Sequence, residues 1–300
     1  MPLVNTKEMF LDAYKNNYSV GAFNVDSISM IQAVLQAAEE LNSPVIISLS
    51  KGSREFMHPG NIKEQILTIS KDITIPFAIH LDHGKSIQLC KDCIDEGFTS
   101  VMIDASAYSY EENIKITKEV VDYAHEKGVS VEGELSIITT KEEYPSLIEK
   151  FIKETNVDSL AISIGTGHGT QKYKKGETPH LDFDILDELE KRIPNFPFVL
   201  HGSSSILKDN LDTFNDYGGQ IIDPIGIPEE LLIKASKMAI CKINIGTDFR
   251  MAYVGALRKS LSLKKDRYEP RNFLQPAKEA AYNLVKHKIK YVFNSENKIK

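Results

Sequence analysis

The sequence predicts a (β/α)8 TIM barrel that forms a single domain over residues 1–300. Short apolar runs and amphipathic helical patterns alternate eight times along the chain, with no switch to hairpin turns and no linker. Such alternation produces a parallel sheet, and eight units in 300 residues favour its closure into a barrel. A hydrophobic content of 42% can fill one large core. A doubly wound open sheet is the alternative architecture.

Each predicted strand is a short apolar run followed by a helical pattern. The strands are SVGAFNV (19–25), PVIISLS (44–50), PFAIHLDHG (76–84), SVMIDAS (100–106), SVEGELS (130–136), SLAISIG (159–165), FPFVLHG (196–202) and AICKINIG (239–246). After the first strand, apolar residues from Ile31 to Leu41 recur at the spacing of one helical face. Asp26 or Ser27 is placed to cap this helix.

The chain after the seventh strand departs from this simple pattern. The connection from 206 to 238 is long and predicts two short helices around a loop rich in glycine and proline. The last eleven residues, 290–300, predict a frayed tail.

Charge and composition exclude several classes of partner. A net charge of −6 argues against broad nucleic-acid binding, which needs a basic face. No apolar run approaches the roughly 20 residues that cross a bilayer, and MPLVNTKEMF lacks the layout of a signal peptide. We therefore expect a cytoplasmic protein that binds neither nucleic acid nor membrane, although an anionic small molecule remains compatible with this charge.

Two of the three cysteines form a C-x-x-C pair, Cys90 and Cys93. The surrounding SIQLCKDCIDEG predicts a helix that turns Cys93 toward the core, and no second C-x-x-C is present. Packing is the favoured interpretation, with a redox or metal pair as the alternative.

Polar residues gather where the predicted strands end. In a barrel of this kind the active site lies at the carboxyl ends of the strands. Taken singly, Asn24, Ser50 or Asp104 is more simply a strand terminator or loop cap. The full set at one rim indicates a site, and it comprises Asn24, Ser50, Asp82, His83, Asp104, Glu134, His168, His201, Asn244 and Asp248.

Three histidines of this rim, His83, His168 and His201, follow the third, sixth and seventh strands. Three protein ligands with an open position are typical of catalytic zinc. These histidines lack the local spacing of an H-E-x-x-H motif, so their pattern alone leaves zinc as one interpretation.

The run AIHLDHG (78–84) poses a problem of geometry. Alternation along a strand would put His80 and Asp82 on one face and His83 on the other. Because the strand ends at the rim, we expect Gly84 to let the chain bend just after His83. Asp82 and His83 would then face the same mouth, and His80 would lie in the core.

Two glycine-containing stretches, HGSSS (201–205) and NIGTD (244–248), follow the last two strands. Small residues before a helix start let backbone N–H groups converge on a phosphate, and barrels often bind phosphate at this position. Tight turns chosen for geometry alone are the alternative.

With these residues in place, the chain resembles the class II fructose-bisphosphate aldolases and their tagatose-bisphosphate relatives. The resemblance rests on motifs that occur in order over nearly the whole chain: GAFNVDS, HLDHG, SVMIDAS, VEGELS, IGTGHG, LHGSSS, KINIGTD and EPRNFLQPAKEA. It implies an aldehyde-lyase that cleaves a ketose bisphosphate into dihydroxyacetone phosphate and glyceraldehyde 3-phosphate with the help of zinc.

The resemblance also assigns the reacting residues. His83, His168 and His201 match the zinc ligands, and Glu134 matches a carboxylate near the metal that can serve as an alternate ligand. Asp82 matches the residue that exchanges a proton with the C4 oxygen, and Asp104 matches a polar neighbour of the site.

The same resemblance implies the residues that contact the phosphates. Ser50 matches a contact to the second phosphate together with Arg271, which in the family reaches across from a neighbouring subunit, so a homo-oligomer is implied. In some relatives the glycines also line a site for K+ or Na+, which is implied here as well. The remaining matched positions are Asn24, Gly169, Gly202, Ser204, Asn244, Gly246 and Thr247.

One segment departs from the family pattern. Relatives follow the fifth strand with a glycine-rich mobile loop that carries a second glutamate, the base for the carbon-bound proton. Here ELSIITTKEEYPS places Glu142 eight residues after Glu134, with Glu143 as an alternative, but serine and threonine replace the glycines. β-Branched threonines should stiffen this loop.

Three alternatives remain open from the sequence. Tagatose bisphosphate differs from fructose bisphosphate only at C4, and HGSSS and the long insertion with YGG lean toward the fructose type. A class I aldolase would use a lysine Schiff base, with Lys51 or Lys242 as candidates. A binding relative with poor turnover would explain the altered loop.

Overall fold

The computed structural model describes residues 2–136, 140–165, 178–222 and 224–299. Within these ranges eight strands form a closed parallel barrel in chain order, so the predicted single-domain barrel is confirmed and the open sheet is not. The strands are β1 (Val20–Asn24), β2 (Val45–Ser50), β3 (Phe77–Gly84), β4 (Ser100–Ile103), β5 (Ser130–Leu135), β6 (Ser159–Ile162), β7 (Phe198–Leu200) and β8 (Ile240–Ile245).

Helices cover the outside of the barrel. They are α1 (Thr6–Lys15), α2 (Ile28–Glu40), α3 (Lys51–Phe56), α4 (Ile62–Ile69), α5 (Ile87–Asp95), α6 (Tyr110–His125), α7 (Tyr144–Thr155), α8 (Phe183–Arg192), α9 (Lys208–Asp216), α10 (Glu229–Ala235), α11 (Thr247–Leu263) and α12 (Arg271–His287). A π-helical segment, Lys288–Val292, continues α12. Helices α9 and α10 are the two short helices predicted in the long connection after β7. Ser27, one of the two predicted caps, accepts a hydrogen bond from the N–H of Met30 at the start of α2.

The strands are buried on both faces, and their alternation separates two packing regions. Phe23, Ile47 and Ile79 point outward and pack with the helices in the large core. Ala22, Ile46 and Ala78 point inward and pack with residues of α1. Helix α1 therefore closes the amino-terminal end of the barrel, which leaves the opposite rim as its open end.

The described end of the chain, residues 290–299, is docked against the barrel, so the expected frayed tail is wrong for these residues. Val292 and Phe293 are fully buried. Phe293 Cε2 would lie only 2.4 Å from a Cβ on Gly21 of β1, so glycine is required for this close approach. The N–H of Asn297 donates to Leu41 O at 2.9 Å, and that of Ile299 donates to Asn42 O at 3.2 Å.

The C-x-x-C pair lies on α5 and has the packing role that the sequence favours. Cys90 and Cys93 are free thiols, both fully buried in the large core. Burial raises the pKa of the Cys93 thiol to about 12, which makes it a poor nucleophile and ligand at neutral pH. Among the described residues, no helix is both long enough and apolar enough to cross a bilayer.

Replacing Phe293 with alanine should lower the free energy of unfolding by about 3–5 kcal/mol, because it removes a buried aromatic ring that contacts Phe23 and covers Gly21. Tyr291→Ala is the matched control, since its side chain is 58% exposed in the same segment. Urea denaturation followed by circular dichroism measures both. Equal losses in the two variants would show that the terminus is not part of the core.

Candidate active site

The open end of the barrel holds a cavity of about 320 Å³. Its wall comes from the ends of β1, β2, β3, β7 and β8 and the loops that follow them. The lining residues are Asn24, Ser50, Asp82, His83, His201, Gly202, Ser203, Ser204, Asn244, Gly246, Thr247 and Arg250. All but Ser203 and Arg250 are positions that the sequence analysis assigned to the site.

His83 reaches this cavity because the end of β3 is irregular. The register with β4 shifts between Leu81 and Gly84, and His83 itself has a φ of +51°. A bulge of this kind re-aims a side chain at the end of a strand, and a left-handed non-glycine residue stores strain that often marks a functional position. The expected bend is therefore present, but at His83 rather than after it. Gly84 serves close packing instead, since a Cβ there would lie 2.5 Å from Met102 O.

The rings of His83 and His201 meet in the cavity wall in an edge-to-face arrangement, with His83 Nε2 3.1 Å from His201 Nδ1, within hydrogen-bond distance. Each ring is held from behind by a carboxylate. His83 Nδ1 lies 2.8 Å from Asp104 Oδ2, and His201 Nε2 lies 2.7 Å from Glu132 Oε1. Carboxylates on the outer nitrogens are the arrangement that orients histidines toward a bound metal.

Charge around the two rings suits metal binding. Burial lowers the pKa of His201, even though Glu132 acts against this, so its ring is neutral and can donate a lone pair. Burial also acts to lower the pKa of His83, but the bond to Asp104 and the charges of Asp82 and Glu134 raise it above its usual value. A metal at this position must displace that proton, so its affinity should fall at acid pH.

Glu134, at the end of β5, completes a donor set for a divalent ion. Its Oε2 is buried without a hydrogen bond in the described structure and lies 3.6 Å from His83 Nδ1. Ligand atoms of Asp82, His83 and His201 lie within 4.8 Å of one another, and so do those of His83, Asp104 and Glu134. Nitrogen and carboxylate donors, with a buried oxygen that makes no hydrogen bond in the described structure, fit a divalent metal ion.

Asp82 lies beside the two histidines at the bottom of the cavity. Both of its oxygens accept hydrogen bonds from side-chain amides: Asn24 Nδ2 is 2.7 Å from Oδ2, and Asn244 Nδ2 is 2.9 Å from Oδ1. Burial alone would raise the pKa of Asp82, but its electrostatic interactions with His201, His83 and Lys242 bring it to about 2. The carboxylate is therefore ionised and fixed in orientation, which is the form that can take up a proton.

One layer deeper, a charged network supports the site from below. Glu132 Oε2 lies 2.7 Å from Lys242 Nζ, which in turn lies 3.1 Å from His80 Nε2. His80 Nδ1 is 2.9 Å from Ser100 Oγ, so His80 is the satisfied core histidine that the sequence predicts. Burial, with the positive charge of Lys242, lowers the pKa of His80 to about 3. Lys242 is thus a buried counter-ion of Glu132.

The two glycine-containing stretches form one side of the cavity. Gly202 has a φ of +63°, and Ser203 Oγ donates to the carbonyl of Leu200 at 3.0 Å. Gly246 directly precedes α11, whose first turn begins at Thr247. The start of this helix therefore faces the same space as the Gly202–Ser204 backbone, an arrangement that favours an anion.

Arg250 brings a cation to the cavity from the same helix. Its Nε donates to Asp26 Oδ2 at 2.9 Å, and Asp26 Oδ1 accepts from Ser53 Oγ at 2.6 Å. Ser53 Oγ lies 2.9 Å from Ser50 Oγ, so Ser50 both caps α3 and lines the cavity beside this network. A guanidinium held in one orientation is well suited to a phosphate.

Other predicted site residues lie elsewhere. Asp104 does not line the cavity but is hydrogen-bonded to His83 behind the cavity wall. Glu142 is exposed in the turn before α7, as is its neighbour Glu143. Arg271 begins α12, and its exposed side chain pairs with Glu269 at 2.7 Å. His168 and Gly169 lie outside the described residues.

The sequence analysis overlooked Glu132 and Arg250. Alternation along SVEGEL puts Glu132 on the same face as Glu134, one layer below, and this period-two signal could have found it. Arg250 lies four residues, or about one helical turn, after Gly246, which places it on the side of α11 nearest that glycine.

A closed parallel barrel with paired histidines and carboxylates at its carboxyl rim has the architecture of a barrel enzyme with a candidate metal site. Residues 4–298 match the family model described as fructose-bisphosphate aldolase class-II. The chain is 42% identical over 320 aligned residues to the fructose-bisphosphate aldolase of Treponema pallidum, with 98% of this chain and 96% of the relative covered. The corresponding enzyme of Giardia intestinalis is 40% identical, with 97% and 93% covered.

Solved structures give the same result. The crystal structure of the YdjI aldolase from Escherichia coli K12 matches with a TM-score of 0.83 at 30% identity, covering 99% of this chain and all of that one. The chain therefore belongs to the class II fructose-bisphosphate aldolase family, whose members depend on a metal ion. The donor set around His83 and His201 fits that requirement, and a Schiff-base mechanism through Lys51 or Lys242 does not fit this class.

Asp104→Asn should weaken metal binding by about 10- to 100-fold, because the amide cannot hold His83 as the carboxylate does. Competition with a chromophoric chelator measures the metal affinity. Asp122→Asn is the control, since Asp122 lies on α6 and pairs only with Lys118 among the described contacts. An unchanged affinity in Asp104→Asn would contradict the positioning role.

Proposed function

We propose that this protein catalyses the reversible cleavage of fructose 1,6-bisphosphate into dihydroxyacetone phosphate and glyceraldehyde 3-phosphate, with zinc as its metal. The observation that carries the proposal is the contact between His83 Nε2 and His201 Nδ1, with a carboxylate hydrogen-bonded to the other nitrogen of each ring. Asp82, which accepts two hydrogen bonds from amides, lies directly beside this pair. Membership of the family supplies the reaction class and the substrate.

His83 and His201 would hold the metal together with His168, and Glu134 would serve as an alternate ligand. Bound there, zinc supplies Lewis-acid polarisation of the substrate carbonyl and stabilises the negative charge that develops when the carbon–carbon bond breaks. Asp104 and Glu132 keep the two rings aimed at one point, so little reorganisation is needed when metal and substrate bind.

Asp82 would take the proton from the C4 hydroxyl during cleavage and return it during condensation. Its ionised carboxylate is the correct form to accept that proton, and Asn24 and Asn244 fix its position. Removing this proton lets the C4 oxygen become the carbonyl of glyceraldehyde 3-phosphate as the C3–C4 bond breaks. The electron pair of that bond stays with the dihydroxyacetone phosphate half.

Glu142 would then deliver the proton that this half needs at carbon, with Glu143 as the alternative. Both are exposed in the turn after β5, and neither lines the cavity, so the turn must approach the substrate for this step. The neighbouring Lys141 forms an ion pair with Asp182 at the start of α8, and this contact sets the position of the turn in the present structure.

The cavity would bind the two phosphates through two sets of contacts. Gly202, Ser204, Asn244, Gly246 and Thr247 would hold one phosphate, with backbone N–H groups at the start of α11. Ser50 and the anchored Arg250 would hold the other. We further propose that Arg271 of a neighbouring copy completes this second site in a homo-oligomer, which its exposure permits. A K+ or Na+ ion would bind near Gly169 and Gly202.

Tagatose 1,6-bisphosphate is the second candidate substrate, because it differs only at C4, the position served by Asp82. A binding relative with poor turnover is the remaining alternative, and the altered loop after Glu134 favours it. Three free cysteines are in keeping with the reducing cytoplasm as the place of action.

A coupled assay of cleavage should show activity with fructose 1,6-bisphosphate that EDTA abolishes and added zinc restores. Tagatose 1,6-bisphosphate, tested in parallel, should be cleaved more slowly. Failure of both sugars in the presence of zinc would favour the binding relative. Activity that survives EDTA but is lost with borohydride and substrate would overturn the metal mechanism.

A half-reaction should distinguish the role of Asp82 from that of Glu142. Asp82→Asn and Glu142→Gln should each lower kcat for cleavage by about 100-fold or more, since each moves a proton. Only Glu142→Gln should also abolish the exchange of the carbon-bound proton of dihydroxyacetone phosphate with deuterated solvent, followed by NMR. Glu143→Gln is the matched control, and a loss of exchange in that variant instead would reassign the base.

A further inference from the structure

The loop after β7 is fixed by a carboxylate that lies outside the cavity wall. The N–H of Ser205 donates to Asp248 Oδ2 at 3.0 Å, and the N–H of Ile206 donates to Oδ1 at 2.8 Å. Asp248 is buried in the first turn of α11. The residues just before, Gly202 to Ser204, line the cavity. Asp248 therefore sets the backbone directly next to the proposed phosphate contacts.

Asp248 is in turn neutralised from the far end of the chain. Lys288, in the π-helical segment, is completely buried, and its Nζ lies 2.9 Å from Asp248 Oδ2 and 2.7 Å from Glu229 Oε1. The same amine donates to Ser205 Oγ. An ammonium group has three N–H donors, and these three acceptors use all of them. A buried charge that is satisfied in this way fixes the groups around it.

Glu229 is ionised as this network requires. Burial alone would raise its pKa, but His287 and Lys288 bring the pKa of Glu229 down to about 2. Its Oε1 also accepts from Ser205 Oγ at 3.1 Å. Ser205 is therefore the point at which two carboxylates and the buried ammonium meet.

The loop needs such a clamp because its backbone is strained. Ile206 has a φ of +56°, in the left-handed region that a β-branched residue rarely adopts. Gly226 approaches so closely that a Cβ would lie 2.5 Å from Ser205 O, and the N–H of Ile227 donates to Ser204 O at 3.0 Å. Strain of this kind persists only where the surrounding contacts determine the conformation.

We propose that Lys288 is a positioning residue for phosphate binding, which acts through Asp248 and Ser205 on the Gly202–Ser204 backbone. The carboxyl-terminal segment is then part of the substrate site, although no atom of it lines the cavity. This inference rests on the proposed function, because it requires that the loop binds a substrate phosphate.

Lys288→Met in the zinc-loaded full-length protein tests the proposal. KM for fructose 1,6-bisphosphate and the inhibition constant of inorganic phosphate should each rise by about tenfold or more, with kcat changed less than about threefold. Zinc affinity should be unchanged, since the contacts behind His83 and His201 are intact. Lys290→Met is the matched control, because Lys290 lies two residues away and is largely exposed.

Ser205→Ala provides a second variant if Lys288→Met does not fold, since it removes the shared hydroxyl without leaving a buried charge unpaired. The same shift in KM and phosphate inhibition supports the proposal. Unchanged KM and phosphate inhibition overturn the proposal. Equal losses of kcat, zinc affinity and stability overturn it as well, because they show a general structural effect. If inorganic phosphate does not compete with substrate in the unmodified protein, the phosphate assignment itself fails and Lys288 has nothing to position.

Discussion

The site depends on one contact geometry, the approach of His83 Nε2 and His201 Nδ1 to 3.1 Å. This contact is a hydrogen bond between two ring nitrogens, and it requires both buried rings to be held in one orientation. Asp104 and Glu132 orient the rings by hydrogen bonding to the opposite nitrogen of each. Glu132 is itself kept ionised chiefly by Lys242, together with the hydrogen bond from His201. A buried ion pair below the cavity thus fixes the ring of His201 at its wall.

Asp82 is likewise held in one orientation by its neighbours, which here are two neutral amides. Asn24 and Asn244 come from β1 and β8, the two strands whose pairing closes the barrel. Barrel closure therefore brings the two amides to either side of the carboxylate on β3. Any shift of register between β1 and β8 would move one amide away, so the position of the proton carrier is tied to the integrity of the whole barrel.

Much of this architecture could be predicted from sequence, and the exceptions have physical causes. Alternating patterns predicted the eight strands. Polarity at the strand ends predicted six of the twelve cavity residues, and the family resemblance added Gly202, Ser204, Gly246 and Thr247. The bend at the end of β3 was expected, but its location at His83 depends on the bulge against β4, which local sequence does not encode. Glu132 was overlooked although its alternation with Glu134 was available in the sequence, whereas the role of Arg250 depends on its contact with Asp26, which is distant in sequence. The terminus from 290 to 299 looked polar and loose, yet Phe293 fills the space above Gly21, a long-range contact that no window of local sequence can reveal.

The docking of Phe293 on Gly21 also bears on how the barrel assembles. The first strand pairs with the last, and its glycine is covered by a residue from the segment after α12, so β1 is completed only by contacts that are distant in sequence. Contacts of this kind form late, because a long stretch of chain must be ordered before they are made. Until they form, one edge of β1 is unpaired and can pair with another chain.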